Sequence, residues 1–339
     1  MFVDSLFKLS SKIVAKCLVE KFRTKEGRYT DIIEILKTIL NEKSRLNLRE
    51  LTIEGYDHFE RDWVEKLADL LPNLQILDFE FSDRMDVRAV CRLFPNLVHL
   101  NIRKKHSLKE IHHLKNLQTL CITGSVFKSS ANLKGLFDLP NLRVLDVCES
   151  QGFFSNLLLL DGSFQDLRII ECDMSDITEQ QLRTLVARNQ CLEIISVIGT
   201  PCELVDFSDL PVTVLNLKTF KSCMSSLHNV VNRKEFNMVQ LEKPIDRMTE
   251  LLKKKRVGDG LKEDEFLKLM MEVTRKFPYF RDRKIQVTKC LIPYFKRIFP
   301  GQSMTEILRN LDPKSPLFPE RRWAAQTVLR YFPEPVVCF

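Results

Sequence analysis

The chain has 339 residues, 44% of them hydrophobic and 29% charged, with only ten glycines and fourteen prolines. That length supports a large buried core, as two domains or one elongated array, and so few glycines argue against long flexible linkers. A net charge of +7, evenly mixed with acid, is too mild to indicate nucleic acid.

The chain opens MFVDSLFKLSSKIVAKCLVEKF. At helical spacing Leu6, Leu9, Ile13 and Cys17 share one face and Lys8, Lys12 and Lys16 the other, which predicts an amphipathic helix. A helix this short is marginal alone, so its apolar face must dock on the protein's own core or on a partner. The lysines interrupt the apolar run too often for a signal peptide. The most apolar stretch, FFSNLLLL at 153–160, is too short to span a bilayer, so no membrane is expected. Ten scattered cysteines, with no CxxC and no His–Cys ligand spacing, predict reduced thiols in a cytoplasmic or nuclear protein. Neither a metal nor a cofactor is expected.

One phrase then recurs. LPNLQILDF at 71–79 returns as FPNLVHLNI at 94–102, LKNLQTLCI at 114–122 and LPNLRVLDV at 139–147. Looser copies are LRELTI at 48–53, FQDLRIIEC at 164–172, CLEIISVIG at 191–199 and VTVLNL at 212–217. Their first aliphatics, from Leu48 to Val212, are spaced by 26, 23, 20, 25, 25, 25 and 20 residues. This is leucine-rich-repeat spacing, with a short strand in each copy and a return along the outside. Leu77 with Phe79, Leu100 with Ile102 and Leu145 with Val147 are predicted to point inward. Returns such as ERDWVEKLADLLPN and ITEQQLRTLVARNQ read as helical, and the prolines at 72, 95 and 140 stop them before the strands. The residue between each inward pair, and the one after it, should face the concavity. Glu54, Asp78, Glu80, Asp146, Glu171 and Asp173 fall there, against Arg103 and Lys218, which predicts an acidic strip for a basic partner segment.

After about residue 220 the strand phrase stops. Aliphatic stripes at 244–256, 262–278, 284–300 and 319–333 predict consecutive amphipathic helices of armadillo type, ending without a polar cap and so with an open apolar end face. The predicted fold is an α/β leucine-rich-repeat solenoid with N-terminal helices and a C-terminal α-helical, armadillo-like segment. Its divisions are 1–43, 44–222 and 223–339.

LPNLRVLDV, the stretch LRIIECDMSDITEQQLRTLVARNQCLEIISVIGTP, and FPERRWAAQTVLRYFP together resemble the Zyg-eleven and Zer-one family of cullin 2 ubiquitin-ligase substrate receptors. The resemblance covers nearly the whole chain, although most of the family's long armadillo array is missing. It implies an N-terminal helix that binds elongin C, patterned small–Leu–xxx–Cys–xxx–aliphatic. Ser5, Leu6, Ser10 and Val14 fit that frame, with Leu9 and Ile13 on the same helix and Ser10 where Cys is usual. A second frame, Ile13 then Cys17, has the Cys but puts Lys21 where an aliphatic belongs. YTDIIEILKTIL at 29–40 resembles the segment that selects the cullin, with Tyr29, Ile32 and Ile33 in place and Thr30 where Pro is usual. The implied partners are elongin B, elongin C, cullin 2 and an unidentified protein substrate.

No nucleophile elbow, phosphate loop or metal-ligand motif is present. His112 and His113, adjacent on a return, are expected to point apart and share no site. The sequence therefore predicts a non-catalytic ligase adaptor. The rival is a leucine-rich scaffold that no longer assembles with a ligase, as the Ser10 and Thr30 departures would suit. An F-box-type receptor would require a longer N-terminal helical module with its own Leu-Pro signature.

Overall fold

Alternating aliphatics make each repeated phrase a short strand, because a pleated chain sends successive side chains to opposite faces. The computed structural model describes residues 12–14, 32–53, 62–79, 86–104, 107–233, 238–254, 262–276 and 281–332. The chain divides into two compact units, residues 1–195 with 210–213, and residues 196–209 with 214–339.

In the first unit seven strands lie in chain order as one parallel sheet. They are β1 (Lys12–Val14), β2 (Glu50–Ile53), β3 (Ile76–Phe79), β4 (His99–Ile102), β5 (Thr119–Cys121), β6 (Val144–Asp146) and β7 (Ile169–Glu171). Register is constant along the stack. Leu51, Leu77, Leu100, Leu120, Leu145 and Ile170 are successive partners, all fully buried. Two more strands, β8 (Ile194–Ser196) and β9 (Thr213–Leu215), begin in this unit and end in the next. The Glu193 N–H donates to the Arg168 carbonyl, and the Thr213 N–H to that of Glu193, so the ladder runs on at the same offset.

The returns carry helices where amphipathic sequence allows. These are α1 (Ile32–Ile39), α2 (Glu42–Asn47), α3 (Trp63–Leu70), α4 (Val87–Leu93), α5 (Phe153–Leu157) and α6 (Glu179–Arg188). Thr178 and Gln181 close a capping box on α6, satisfying two backbone N–H groups at its start. Pro72 and Pro95 follow the ends of α3 and α4, and Pro140 follows a short 3-10 turn, each just before a strand. Trp63 on α3 packs its ring 4.8 Å from that of Phe79, tying helix to sheet.

Two polar ladders stitch the returns together. The side-chain amides of Asn73, Asn116 and Asn141 donate to the carbonyls of Leu46, Pro95 and Lys115, each in the preceding return. At a period of 25 residues, Ser125, Ser150 and Ser175 are buried. Ser150 donates to the Ile122 carbonyl and Ser175 to that of Cys172, so these hydroxyls satisfy backbone acceptors the turns leave open.

The opening segment departs from its sequence reading. Lys12–Val14, predicted within a helix, is strand β1, with Ile13 opposite Leu51 and Val14 opposite Thr52. β2 would otherwise present a bare edge, and the β-branched Ile13 and Val14 suit a strand better than a marginal helix. Ser5, Leu6, Leu9 and Ser10 lie outside the described residues.

The second unit is helical after its strand ends, with α7 (Phe220–Asn232), α8 (Met238–Lys253), α9 (Glu263–Lys276), α10 (Arg281–Ile298), α11 (Met304–Asn310) and α12 (Phe318–Tyr331). Helices α7 and α11 were not singled out in the sequence. Pro244, read as a helix start, lies inside α8, which begins six residues earlier at Met238. The core is aromatic, with Phe220, Phe266 and Tyr294 stacked at 5.7 and 5.4 Å. Among the described residues of this unit, Leu204 is an exposed large hydrophobic. Phe318, Trp323 and Phe332, partly buried, pack against the core.

Glu263 on α9 accepts hydrogen bonds from Tyr294 on α10 and from Arg321 on α12 at 2.5 Å, joining three helices. Burial pushes its pKa up, but these two donors and the Arg321 charge outweigh it and hold the carboxyl below the ordinary range. A depressed carboxyl contributes stability that is present above the ordinary carboxylate range and lost as pH falls through the folded value. Glu263→Gln should therefore cost about 1–2 kcal/mol at neutral pH, allowing for partial exposure. The gap between wild type and variant should narrow as pH falls below the ordinary carboxylate range and close once it has passed the lowered folded value, as read by urea titration across pH.

Candidate protein-binding face of the sheet

The strand positions that do not point into the core form two rows across the first unit. Registers align Glu50, Ile76, His99, Thr119, Val144 and Ile169 in one row, all half-buried. Ile194, half-buried on β8, follows Ile169 in chain order. The other row is Thr52, Asp78, Asn101, Cys121, Asp146 and Glu171. The first row is largely aliphatic toward its far end, with Val144, Ile169 and Ile194 in succession.

Of the predicted acidic strip, Asp78, Asp146 and Glu171 stand in the second row, half-buried. Asp78 accepts a hydrogen bond from the Asn101 amide at 2.8 Å, and Asp146 accepts the Cys148 N–H at 2.9 Å. Asp146 and Glu171 are direct register partners, so two carboxylates face each other across adjacent strands. Asp173 does not belong to the strip, because it is fully buried. The strand ends at Glu171 and Met174 follows at φ 57°, so strict alternation no longer holds at Asp173. Glu54 and Glu80 lie outside the described residues.

On the other side of the aliphatic row, arginines alternate with acids. Arg143 pairs with Asp166 at 2.8 Å, Arg168 with Asp166 at 3.2 Å and with Glu193 at 2.9 Å. The Arg143 hydrogen bond holds the Asp166 carboxyl below its ordinary range. Further back, a trough of about 360 Å³ is lined by amides including Asn73, Gln75, Asn116, Gln118 and Asn141. Those three asparagines are the stitching residues above, and the repeated Asn-Leu of the sequence phrase is the signal for them.

The oxygens of Asp146 and Glu171 and the Cys148 sulfur lie within 4.8 Å of one another. Linear spacing hid this group, since its members come from two repeats. His112 and His113 correct another expectation, for their rings stack with centroids 4.2 Å apart. They occupy a 3-10 turn, Ile111–His113. Burial pushes the thiols of Cys91, Cys223 and Cys290 up to about 12, leaving them protonated and poor nucleophiles.

In the segment 29–40, Ile32 and Ile33 fall in α1, and Ile33 is fully buried together with Leu36. Its side chain is spent on this protein's own core. Tyr29 and Thr30 lie outside the described residues. No helix among the described residues is long and apolar enough to cross a membrane.

No family model matches the chain. It is similar to Gastrulation-defective protein 3 of Caenorhabditis elegans, with 28% identity over 234 residues, covering 66% of this chain and 32% of that protein. The chain thus spans about a third of the length of the curated relative it matches.

Proposed function

We propose that the first unit is a leucine-rich-repeat array, that the helical unit is armadillo-like, and that the chain is a non-catalytic protein-binding subunit. The observation that carries this is the constant register from β2 to β7, which sets outward residues of six successive strands in two straight rows. An open, rigid face of that kind suits an extended protein surface better than a small enclosed substrate.

Within that reading, the chain serves as the substrate-recognition adaptor of an elongin B–C and cullin 2 ubiquitin ligase. Support comes from the order of its segments and from the resemblance of residues 5–14 and 29–40 to the family's docking helices. The mechanism would be proximity, since holding a substrate on a rigid scaffold raises the local concentration of its lysines near the charged conjugating enzyme. Two structural observations favour the rival, a scaffold without a ligase: Ile13 and Val14 are paired in a strand, and Ile33 is buried. For elongin C to be bound through residues 5–14, β1 must leave the sheet edge and become helical.

Co-purification of the full chain with elongin B–C, alone and with cullin 2, separates these. The adaptor reading predicts a stable complex that Leu6→Arg abolishes. Recovery of neither elongin nor cullin would leave the scaffold.

A further inference from the structure

We infer that a groove between α7 and α9 of the helical unit takes an acidic amphipathic segment of a partner protein. The two helices run parallel. Phe220 stacks on Phe266 near their starts at 5.7 Å, and near their ends the Lys276 ammonium donates to the carbonyls of Val231 and Arg233. Between them lies a cavity of about 500 Å³, within the size range of ligand sites. Met224 and Leu269 give it an apolar floor. Lys221, Lys262 and Lys268 line it as well, and lysines lay apolar stems along a wall while holding the ammonium in water. The floor therefore suits aliphatic side chains and the rim suits carboxylates.

Charge selects the occupant. The helical unit holds 25 lysines and arginines against 17 aspartates and glutamates, whereas the first unit holds 27 against 28. The whole cationic surplus of the chain thus belongs to the unit that carries the groove, and its field draws acidic partners. Two acids also line the groove. Glu265 is bound to Lys262 at 2.9 Å, and Glu272 stands at the far end with His228. That leaves Lys268, 4.0 Å from Asp264, and Lys221, which has no carboxylate within ion-pairing distance among the described residues. Both keep donors for an incoming carboxylate. A lone lipid carboxylate suits the site less well, because two apolar side chains make an open floor and not an enclosing tunnel. On α7 the lining positions Lys221, Met224 and His228 recur at three- or four-residue intervals over about 10 Å, room for roughly two turns of a partner helix.

This site stands apart from the adaptor reading, which concerns residues 5–40. The test uses the full chain as bait for a random 12-residue peptide phage library, with Lys221→Glu/Lys268→Gln as counter-screen. Position 221 lies in the first turn of α7, where the helix dipole favours an acid, so the variant should keep the wild-type urea midpoint. The expected winners carry aliphatics beside Asp or Glu, repeating at three- or four-residue intervals. A synthetic winner, followed by fluorescence anisotropy, should bind the double variant at least tenfold more weakly, and Glu272→Lys should tighten it severalfold. In protein labelled with carbon-13 at its methionine methyls, the winner should shift the Met224 resonance, identified by its loss in Met224→Leu. Absence of enrichment, winners without the acidic pattern, equal binding to the double variant, or an unmoved Met224 resonance would overturn the inference. The adaptor reading fails separately: a chain that takes these peptides but not elongin B–C loses only the ligase, and the converse result removes only the groove.

Discussion

Leu145→Ala is expected to destabilise the first unit by about 3–4 kcal/mol, within the range for emptying a fully packed leucine site. Leu145 is fully buried at the centre of the stack, between Leu120 and Ile170 in register. Its neighbours are held by backbone ladders on both sides, so they cannot collapse into the space, and the cavity term adds to the lost transfer energy. In urea the midpoint of the unit should fall by about 1 M or more, given a slope of a few kcal/mol/M. Val144→Ala, one residue away but half-buried on the open face, should cost under about 1 kcal/mol. Equal costs at the two positions would mean that the alternation of inward and outward residues is misassigned.

Gly152→Ala should be nearly as damaging, at about 3 kcal/mol, for two causes that can be separated. The residue sits at φ 69° just before α5, where an L side chain costs about 1–2 kcal/mol. An added Cβ would also stand 2.4 Å from the Phe127 carbonyl oxygen, a backbone atom that cannot swing aside. The same region is tightly bonded: the Gly152 N–H donates to Asp176 at 2.7 Å, and the Asn156 amide bridges the Gly152 and Phe127 carbonyls. Gly301 provides the control, with φ 79° but nothing within 4 Å of its added Cβ. Gly301→Ala should show only the conformational cost. Thermal unfolding of the two variants therefore isolates the clash as their difference.

How much was visible beforehand depends on the length over which a pattern repeats. The strands were legible because LxxLxL recurs with proline stops, and eight imperfect copies average out the ambiguity of any one. Asp146 and Glu171 lie within the strands, where alternation holds. Asp173 was misplaced because strict alternation was extended two residues past the strand's end, into a turn with a left-handed residue. The opening segment illustrates a different limit. Its lysines at four-residue spacing favour a helix locally, whereas an unpaired sheet edge 38 residues downstream favours a strand at Lys12–Val14, and local periodicity does not register that demand. Likewise α7 was missed because FKSCMSSLHNVVN carries serines and β-branched residues of weak helix propensity, and burial of Phe220, Leu227 and Val230 overrides that weakness. The stacked histidines and the Asp146, Cys148 and Glu171 group depend on turn geometry and register, which no linear spacing encodes.

The measurement that bears most directly on the adaptor account is hydrogen exchange over residues 1–40 of the full chain, with and without elongin B–C. In the free chain the amides of Lys12–Val14 should be protected as an edge strand. With elongin B–C at saturating concentration, protection should spread across residues 5–17 while the exposed edge of β2, at Leu51 and Ile53, exchanges faster. Unchanged protection throughout residues 1–40 would contradict the account and leave the opening segment as the first strand of a protein-binding scaffold.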